Sequence, residues 1–308
     1  MTMLKSLCRV AAVAVGAILA VALLTSASQA QQAYPSPEDA AAALAAAVKT
    51  GTRNAMLRVL GSAADDIVES GDDVADAETR QRFVSAYDAK HSIKADGNKK
   101  ATLILGADEF PFPIPLVNNK SGWEFDPAAG RLEILYRRIG RNELDAIQTC
   151  LAFVDAQDEY AEKDRTGAGV GVYAQRIVSS PGKKDGLFWR DDPDPSPLGE
   201  LAAQASAEGY KVGEQAPYHG YYFRILKGQG SDAPGGAFYY VVKGKMIGGF
   251  ALVAYPAEYG NSGVMTFMVN HAGIVYQKDL GQRTEIIAKR TTLFDPDQTW
   301  KKVDAVKP

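Results

Sequence analysis

Residues 221–277 read YYFRILKGQGSDAPGGAFYYVVKGKMIGGFALVAYPAEYGNSGVMTFMVNHAGIVYQ, and this stretch decides the fold class. Runs rich in Tyr, Phe, Val and Ile alternate with short clusters of Gly, Asn, Asp and Pro. That pattern predicts strands over 221–226, 238–242, 249–255, 264–269 and 274–277, with turns over 228–236, 243–248, 256–263 and 270–273. Connections this short join antiparallel neighbours, because a parallel crossover needs about a dozen residues or more.

Moving upstream, the period changes. Leu144, Ile147, Leu151 and Val154 follow helical spacing, Asn142 is a candidate cap, and Gly167, Gly169 and Gly171 close the segment. A helix is expected over 142–161, packed on the antiparallel sheet. Residues 183–197 read as loop, and Ser196-Pro197 starts a small helix ending near Gly209. Nearer the N-terminus, Ser36, Pro37, Glu38 and Asp39 form a helix start of cap, first-turn proline and acids at the positive dipole end. That helix is expected to run to Val48, with Gly51 beyond it. A second is expected over 53–60 and a third over 76–91. Asp65, Asp66, Glu69, Asp72, Asp73 and Asp76 between them read as a solvated acidic loop with a helical turn. Short strands are expected over 102–105 and 123–126, and the proline-rich 108–116 reads as an extended edge segment. Downstream, Trp300 is expected to pack back on the body. The fold class is therefore α+β: N-terminal helices with a small meander over 31–130, then a long helix on an antiparallel sheet over 131–308.

Residues 1–30 form a separate object. Lys5 and Arg9 precede the uncharged apolar run 10–24, and Ser26-Ala27-Ser28-Gln29-Ala30 places small residues where a signal peptidase reads. This predicts a secretory signal cleaved between Ala30 and Gln31. The run is short for a span of roughly 20 residues, so no transmembrane anchor is expected after cleavage. Cleavage would change the net charge from −3 to −5 by removing Lys5 and Arg9. It would also remove Cys8, leaving Cys150 with no partner for an internal disulfide. The expected location is periplasmic or secreted. A mildly acidic chain of 308 residues, 46% hydrophobic and 23% charged, has no electrostatic reason to seek nucleic acid.

Searches for chemistry return little. No Ser has Gly two before and two after it; Ser262 comes nearest and reads as a turn residue. Cys150 lies mid-helix, where a small buried residue is expected. His91, His219 and His271 lack metal-ligand spacing, although His219 and His271 could meet across the sheet. Asp192, Asp194 and Ser196 have the alternation of a calcium loop but lack its glycine and its closing glutamate. Whether Asp191, Asp192 and Asp194 bind a cation in another way stays open, with a surface loop as the plainer reading. Gly182-Lys183, Gly244-Lys245 and Gly167-x-Gly169-x-Gly171 lack the context of nucleotide loops. Asp155 and Asp158 lie one turn apart on a face that also carries Glu159 and Glu162, which reads as solvated. No catalytic, cofactor-binding or metal-ligating residue is assigned, and no cofactor is expected. The remaining signal is aromatic. Tyr residues concentrate between 218 and 276, and Tyr221, Tyr239 and Tyr255 are the candidate stacking surface for an envelope glycan or protein.

DEFPFPIP at 108–115, EILYRRIGRNEL at 133–144, GGFALVA at 248–254, PAEYG at 256–260 and VYQKDLG at 275–281 stand out as strings. Together they resemble an uncharacterised family of exported bacterial proteins, the domain of unknown function 2950. The resemblance covers nearly all of the chain after residue 30 and implies export without implying a site. The order of long helix, glycine-rich loop and antiparallel sheet is also similar to the soluble part of pilin-like proteins, without their leader. These readings favour a non-enzymatic binding or scaffolding module. A hydrolase of cell wall or polysaccharide, and a structural subunit of a surface assembly, are the alternatives.

Overall fold

The structure is a computed structural model that describes residues 31–213 and 216–303, so the expected signal segment lies outside the described residues. In the N-terminal unit, Ser36 is extended and its Oγ accepts the Asp39 N–H at 3.0 Å, and Pro37 opens α1 (Pro37–Thr50). There follow α2 (Arg53–Leu60), α3 (Asp65–Val68) and α4 (Asp73–Ala89). The sheet beside them contains β1 (His91–Asp96), β2 (Lys100–Leu105), β3 (Phe110–Pro111), β4 (Leu116–Asn119) and β5 (Gly122–Phe125), ordered β1-β2-β4-β5 with β3 on β2. Leu44, Val48, Met56, Val59, Ile114, Leu116 and Phe125 fill the space between helices and sheet. The helix expected over 76–91 stops at Ala89. His91 begins β1 instead, because its pairing partner Leu105 is distant in sequence and the strand itself is mostly exposed.

The two units share α5 (Pro127–Ala161), a single helix of 35 residues, about 50 Å long. Its second half is the helix expected over 142–161, but it begins at Pro127, with the Asp126 side chain accepting the Ala129 N–H at 3.2 Å. The expected boundary near Gly130 therefore falls within its first turns. Of the two glycines inside this helix, Gly130 is there for a close approach. A Cβ at that position would lie 2.4 Å from the Pro113 carbonyl oxygen, whereas one on Gly140 would meet nothing within 4 Å. Alanine usually stabilises a helix interior over glycine by about 1 kcal/mol. Gly140→Ala should accordingly raise the melting temperature. Gly130→Ala should lower it, because overpacking of this kind costs about 1–3 kcal/mol. Thermal unfolding of the two variants in parallel checks the opposite signs.

Beyond α5 come α6 (Gly199–Glu208), β6 (Tyr221–Leu226), β7 (Gly228–Gln229), β8 (Phe238–Tyr239), β9 (Val241–Val242), β10 (Lys245–Met246), β11 (Ala251–Pro256), β12 (Met265–Asn270), β13 (Tyr276–Asp279), α7 (Thr284–Arg290) and β14 (Lys301–Lys302). The main sheet is antiparallel in the order β14-β13-β12-β11-β6. Helix α5 packs on β11 and β12 from one face, and α7 packs on β11 from the other. This two-sided cover explains why β11 reads ALVAYP with no polar alternation: all six residues are buried. The strand expected over 238–242 is split. β8 pairs with β7 and β9 with β10, outside the main sheet, while Tyr240 between them is buried and donates its hydroxyl to Gln229 Oε1 at 2.8 Å. Trp300 and Val303 pack against the C-terminal core.

Two polar ties fix the units together. Arg138 of α5 donates to the Asp66 and Ile67 carbonyls of α3 at 2.7 and 2.6 Å and to Asn261 Oδ1 in the β11–β12 turn. Asp72, ahead of α4, accepts the Val74 and Ala75 N–H groups with Oδ1. Its Oδ2 accepts the Gly220 N–H at 2.8 Å and the Tyr210 hydroxyl at 2.9 Å. Asp72 and Asp76 are both buried, so this part of the acidic run is structural rather than solvated.

Candidate binding groove

Strand β6 is the last strand on its side of the main sheet. Tyr222, Arg224 and Leu226 stand opposite Tyr255, Val253 and Ala251, while Tyr221, Phe223 and Ile225 stand opposite Pro256, Ala254 and Leu252. The first set faces α7: Arg224 donates to the Ala288 carbonyl at 2.6 Å and to that of Thr291. The second set faces α5. A groove of about 640 Å³ follows the free side of this strand and wraps round its edge. Phe153 of α5, Leu201 and Ala205 of α6, and Phe188 from the loop between these helices supply apolar walls. Tyr218, Tyr222 and Tyr255 line it together with Arg224, Glu285 and Lys289. The volume is that of a small-ligand or short-peptide site.

Tyr218 and Tyr255 are neutral hydrogen-bonding groups. Burial pushes Tyr218 up to about 12, with Glu208 and Asp145 adding to the effect. Burial raises Tyr255 as well, opposed by the charges of Lys289 and Arg224. The Tyr222 and Tyr255 rings lie 5.6 Å apart, and Tyr210 meets Tyr218 edge to face at 4.9 Å. Beside this aromatic mouth sits His219, with a φ of 47°. Its Nδ1 is 3.4 Å from Asp145 Oδ2 and its Nε2 is 3.1 Å from Glu208 Oε2. Burial raises Asp145 above the usual carboxylate range, while His219 and Arg141 pull it back.

The aromatic surface expected from Tyr221, Tyr239 and Tyr255 does not form. Tyr221 is fully buried facing α5 and donates to the Met265 carbonyl at 2.9 Å. Tyr255 is 6% exposed on the opposite face of the sheet, within the groove, and Tyr239 is 78% exposed on the small β7–β8 pair. Alternation along the strands separates the first two, and the split at Tyr240 removes the third. Nor do His219 and His271 meet. They lie at opposite ends of the strands, roughly 20 Å apart by strand rise, with His271 against the Tyr240 and Phe250 rings. His91 stacks on Tyr87 at 3.8 Å in the N-terminal unit.

The remaining candidates have structural occupations. Lys184 Nζ donates to Asp192 at 2.7 Å and to Asp194 at 3.3 Å, and Lys163 donates to Asp194 at 3.2 Å. These lysines hold both carboxylates below their ordinary range, and Asp191 is exposed beside them. No group of three His, Cys, Asp or Glu able to hold a metal occurs among the described residues. Ser262 is buried in its turn, where its Oγ accepts the Glu258 N–H at 2.9 Å. The Cys150 thiol is pushed up to about 12 by burial, which makes it a poor nucleophile. Asp155 and Asp158 are exposed. The groove had no signature in the sequence, because its walls come from α5, α6, α7 and loops brought together only by the fold. The one local clue was a strand with aromatic and aliphatic residues on both faces.

The model of the family "Protein of unknown function (DUF2950)" matches residues 31–303. The chain belongs to this family. No curated protein and no solved structure matches it. The matched region takes in both units, α5 and all the groove walls. Among the described residues of this DUF2950 chain, no helix is long and apolar enough to cross a membrane.

Proposed function

We propose that this DUF2950 protein is a non-enzymatic binding module that acts outside the cytoplasm and takes its ligand in the groove beside β6. The observation that carries the reading is the groove itself: an apolar cleft of about 640 Å³, bounded by neutral phenols and a few charges. Export is supported by the pattern of residues 1–30, with its basic start, apolar run and small-residue cleavage site. The alternative, a hydrolase of cell wall or polysaccharide, would rest on acids of the Asp191 to Asp194 loop or on His219 with His271. Asp192 and Asp194 are paired with lysines, and the two histidines do not meet. Both ring nitrogens of His219 face carboxylates, at 3.4 and 3.1 Å, rather than the groove.

The test is a titration of the chain from residue 31 onward with anilinonaphthalene sulfonate, an apolar fluorescent probe. Wild type should show one saturable site. Leu201→Trp, which fills the groove from α6, should lose that site with an unchanged melting temperature. Equal binding by the variant, or only diffuse weak binding by wild type, would overturn the reading.

A further inference from the structure

The hydrogen bonding of β6 identifies what the groove holds. Tyr221 exchanges two backbone bonds with Tyr218, N–H to carbonyl at 3.1 Å and carbonyl from N–H at 2.8 Å, so its polar groups point away from β11. The Ala257 N–H donates to the Gly220 carbonyl at 2.9 Å, and the His271 N–H donates to that of Phe250 at 3.1 Å. Antiparallel pairs alternate between bonded and non-bonded positions. Tyr222, Arg224 and Leu226 therefore bond to β11, whereas Phe223 and Ile225 direct their N–H and C=O groups outward. Among the described residues, neither Phe223 nor Ile225 has a backbone or side-chain partner for these groups. Beyond Ile225 the outward row closes again, because the Tyr240 N–H donates to the Lys227 carbonyl at 3.0 Å.

An open sheet edge is a template for another strand, and proteins ordinarily shield it with proline, charge or a bulge. Here the edge is left open over two outward residues, the first of which, Phe223, lines the apolar groove. Both ends of the opening are sealed by the chain's own bonds, at Tyr218 and at Lys227. The occupant that satisfies these four backbone groups is an extended peptide, with alternate side chains pointing into the two sides of the groove. Among the described charged residues lining it, Lys289 pairs with Glu285 at 2.6 Å, whereas Arg224 donates only to neutral carbonyls and keeps its Nε unpartnered, so the charge left over is positive and acidic side chains are favoured over basic ones.

We propose that the groove binds an extended, acidic peptide segment of another protein by β-strand addition to β6, with Phe223 and Ile225 exchanging backbone hydrogen bonds with it. This rests on the groove being the binding site and adds the class of ligand.

The probes are three fluorescein-labelled pools of ten-residue peptides. In the first, Val, Ile, Thr, Tyr or Phe alternates with Glu or Asp. The second replaces the acids with Lys, and the third is the acidic pool N-methylated at every second backbone nitrogen. Fluorescence anisotropy should show saturable binding of the acidic pool. Binding should be about tenfold weaker for the N-methylated pool, which has lost its interstrand donors, and weaker for the lysine pool. On the protein, Ile225→Pro removes one outward N–H and no ladder bond to β11, so it should weaken binding similarly. Because that variant also changes packing, the N-methylated peptides test the same bond on the unaltered protein. Equal binding of methylated and unmethylated pools, stronger binding of the lysine pool, or no binding of any pool would overturn strand addition. If no pool binds while anilinonaphthalene sulfonate still occupies the Leu201-dependent site, strand addition fails and the groove reading stands. If neither binds, both fail.

Discussion

Replacing Arg138 with alanine is expected to destabilise the protein by about 3 kcal/mol and to uncouple its two units. The guanidinium donates to the last carbonyls of α3, at Asp66 and Ile67, and to Asn261 in the β11–β12 turn. Asn261 in turn donates to the Glu69 carbonyl at 3.0 Å and to Glu258 Oε2 at 2.8 Å. One side chain from the shared helix therefore caps a helix of the N-terminal unit and fixes a turn of the C-terminal sheet. Burial lowers the tendency of Arg138 to stay charged, an effect that Asp76, Asp66 and Glu258 only partly oppose. Truncation leaves several partly buried acceptors without donors, each worth about 1–3 kcal/mol when unsatisfied. For a chain of this size, 3 kcal/mol corresponds to a fall in melting temperature of roughly 6–12 °C. Arg138→Lys retains the charge but loses the fork that reaches three acceptors at once, so it should recover less than half of the loss. A double-mutant cycle with Asn261→Ala should show coupling of about 1–2 kcal/mol, as expected for residues in one network. Calorimetry should also show the single transition of wild type broaden or split in Arg138→Ala. A variant within 1 kcal/mol of wild type that unfolds in one sharp step would show that α5 alone couples the units.

Much of the local structure was legible in the sequence. Ser36 and Pro37 marked the start of α1, the second helix was expected over the residues α2 occupies, and β6 was expected at 221–226 and found there. Each of these depends on caps, turns and propensities acting within a few residues. The misses have non-local causes. The domain boundary expected near Gly130 fell inside α5, because only the carbonyl of Pro113, separate in sequence but adjacent in the fold, reveals why a side chain is excluded there. β1 was missed because its mostly exposed residues pair with β2 rather than follow a period. Helix α7, seven residues long, is too short to declare itself by periodicity. The tyrosine surface failed through strand alternation and burial, since Tyr221 and Tyr255 carry β propensity without sharing a face. The openness of β6 is a property of sheet order, and adjacent strands in sequence do not reveal which of them ends the sheet.

Asp72 shows most clearly how a residue that read as part of a solvated acidic run can hold both the fold and the groove. Its Oδ1 caps α4, while its Oδ2 receives the Gly220 N–H and the Tyr210 hydroxyl, and Tyr210 in turn accepts the His219 N–H at 3.2 Å. Burial and the neighbouring Asp72 hold the Tyr210 phenol well above its usual range, so it remains a donor to the carboxylate. Asp72→Ala should cost about 4 kcal/mol: about 1 for the cap, and the rest for the buried donors left facing a cavity. Asp72→Ser separates these contributions, because serine can cap α4 but is too short to reach Gly220 and Tyr210. It should recover only the capping share. Asp72→Asn is the sharper variant. In either amide orientation its NH2 group faces N–H or O–H donors, so this nearly isosteric change should be about as damaging as alanine. The same variant should weaken ligand binding in the groove, because Tyr210 and Tyr218 pack together at its mouth and β6 begins just beyond Gly220. Denaturant unfolding gives the order expected for stability, with wild type above serine and serine above asparagine and alanine. An asparagine variant within 1 kcal/mol of wild type would mean that water, and not the Asp72 carboxylate, satisfies the start of β6.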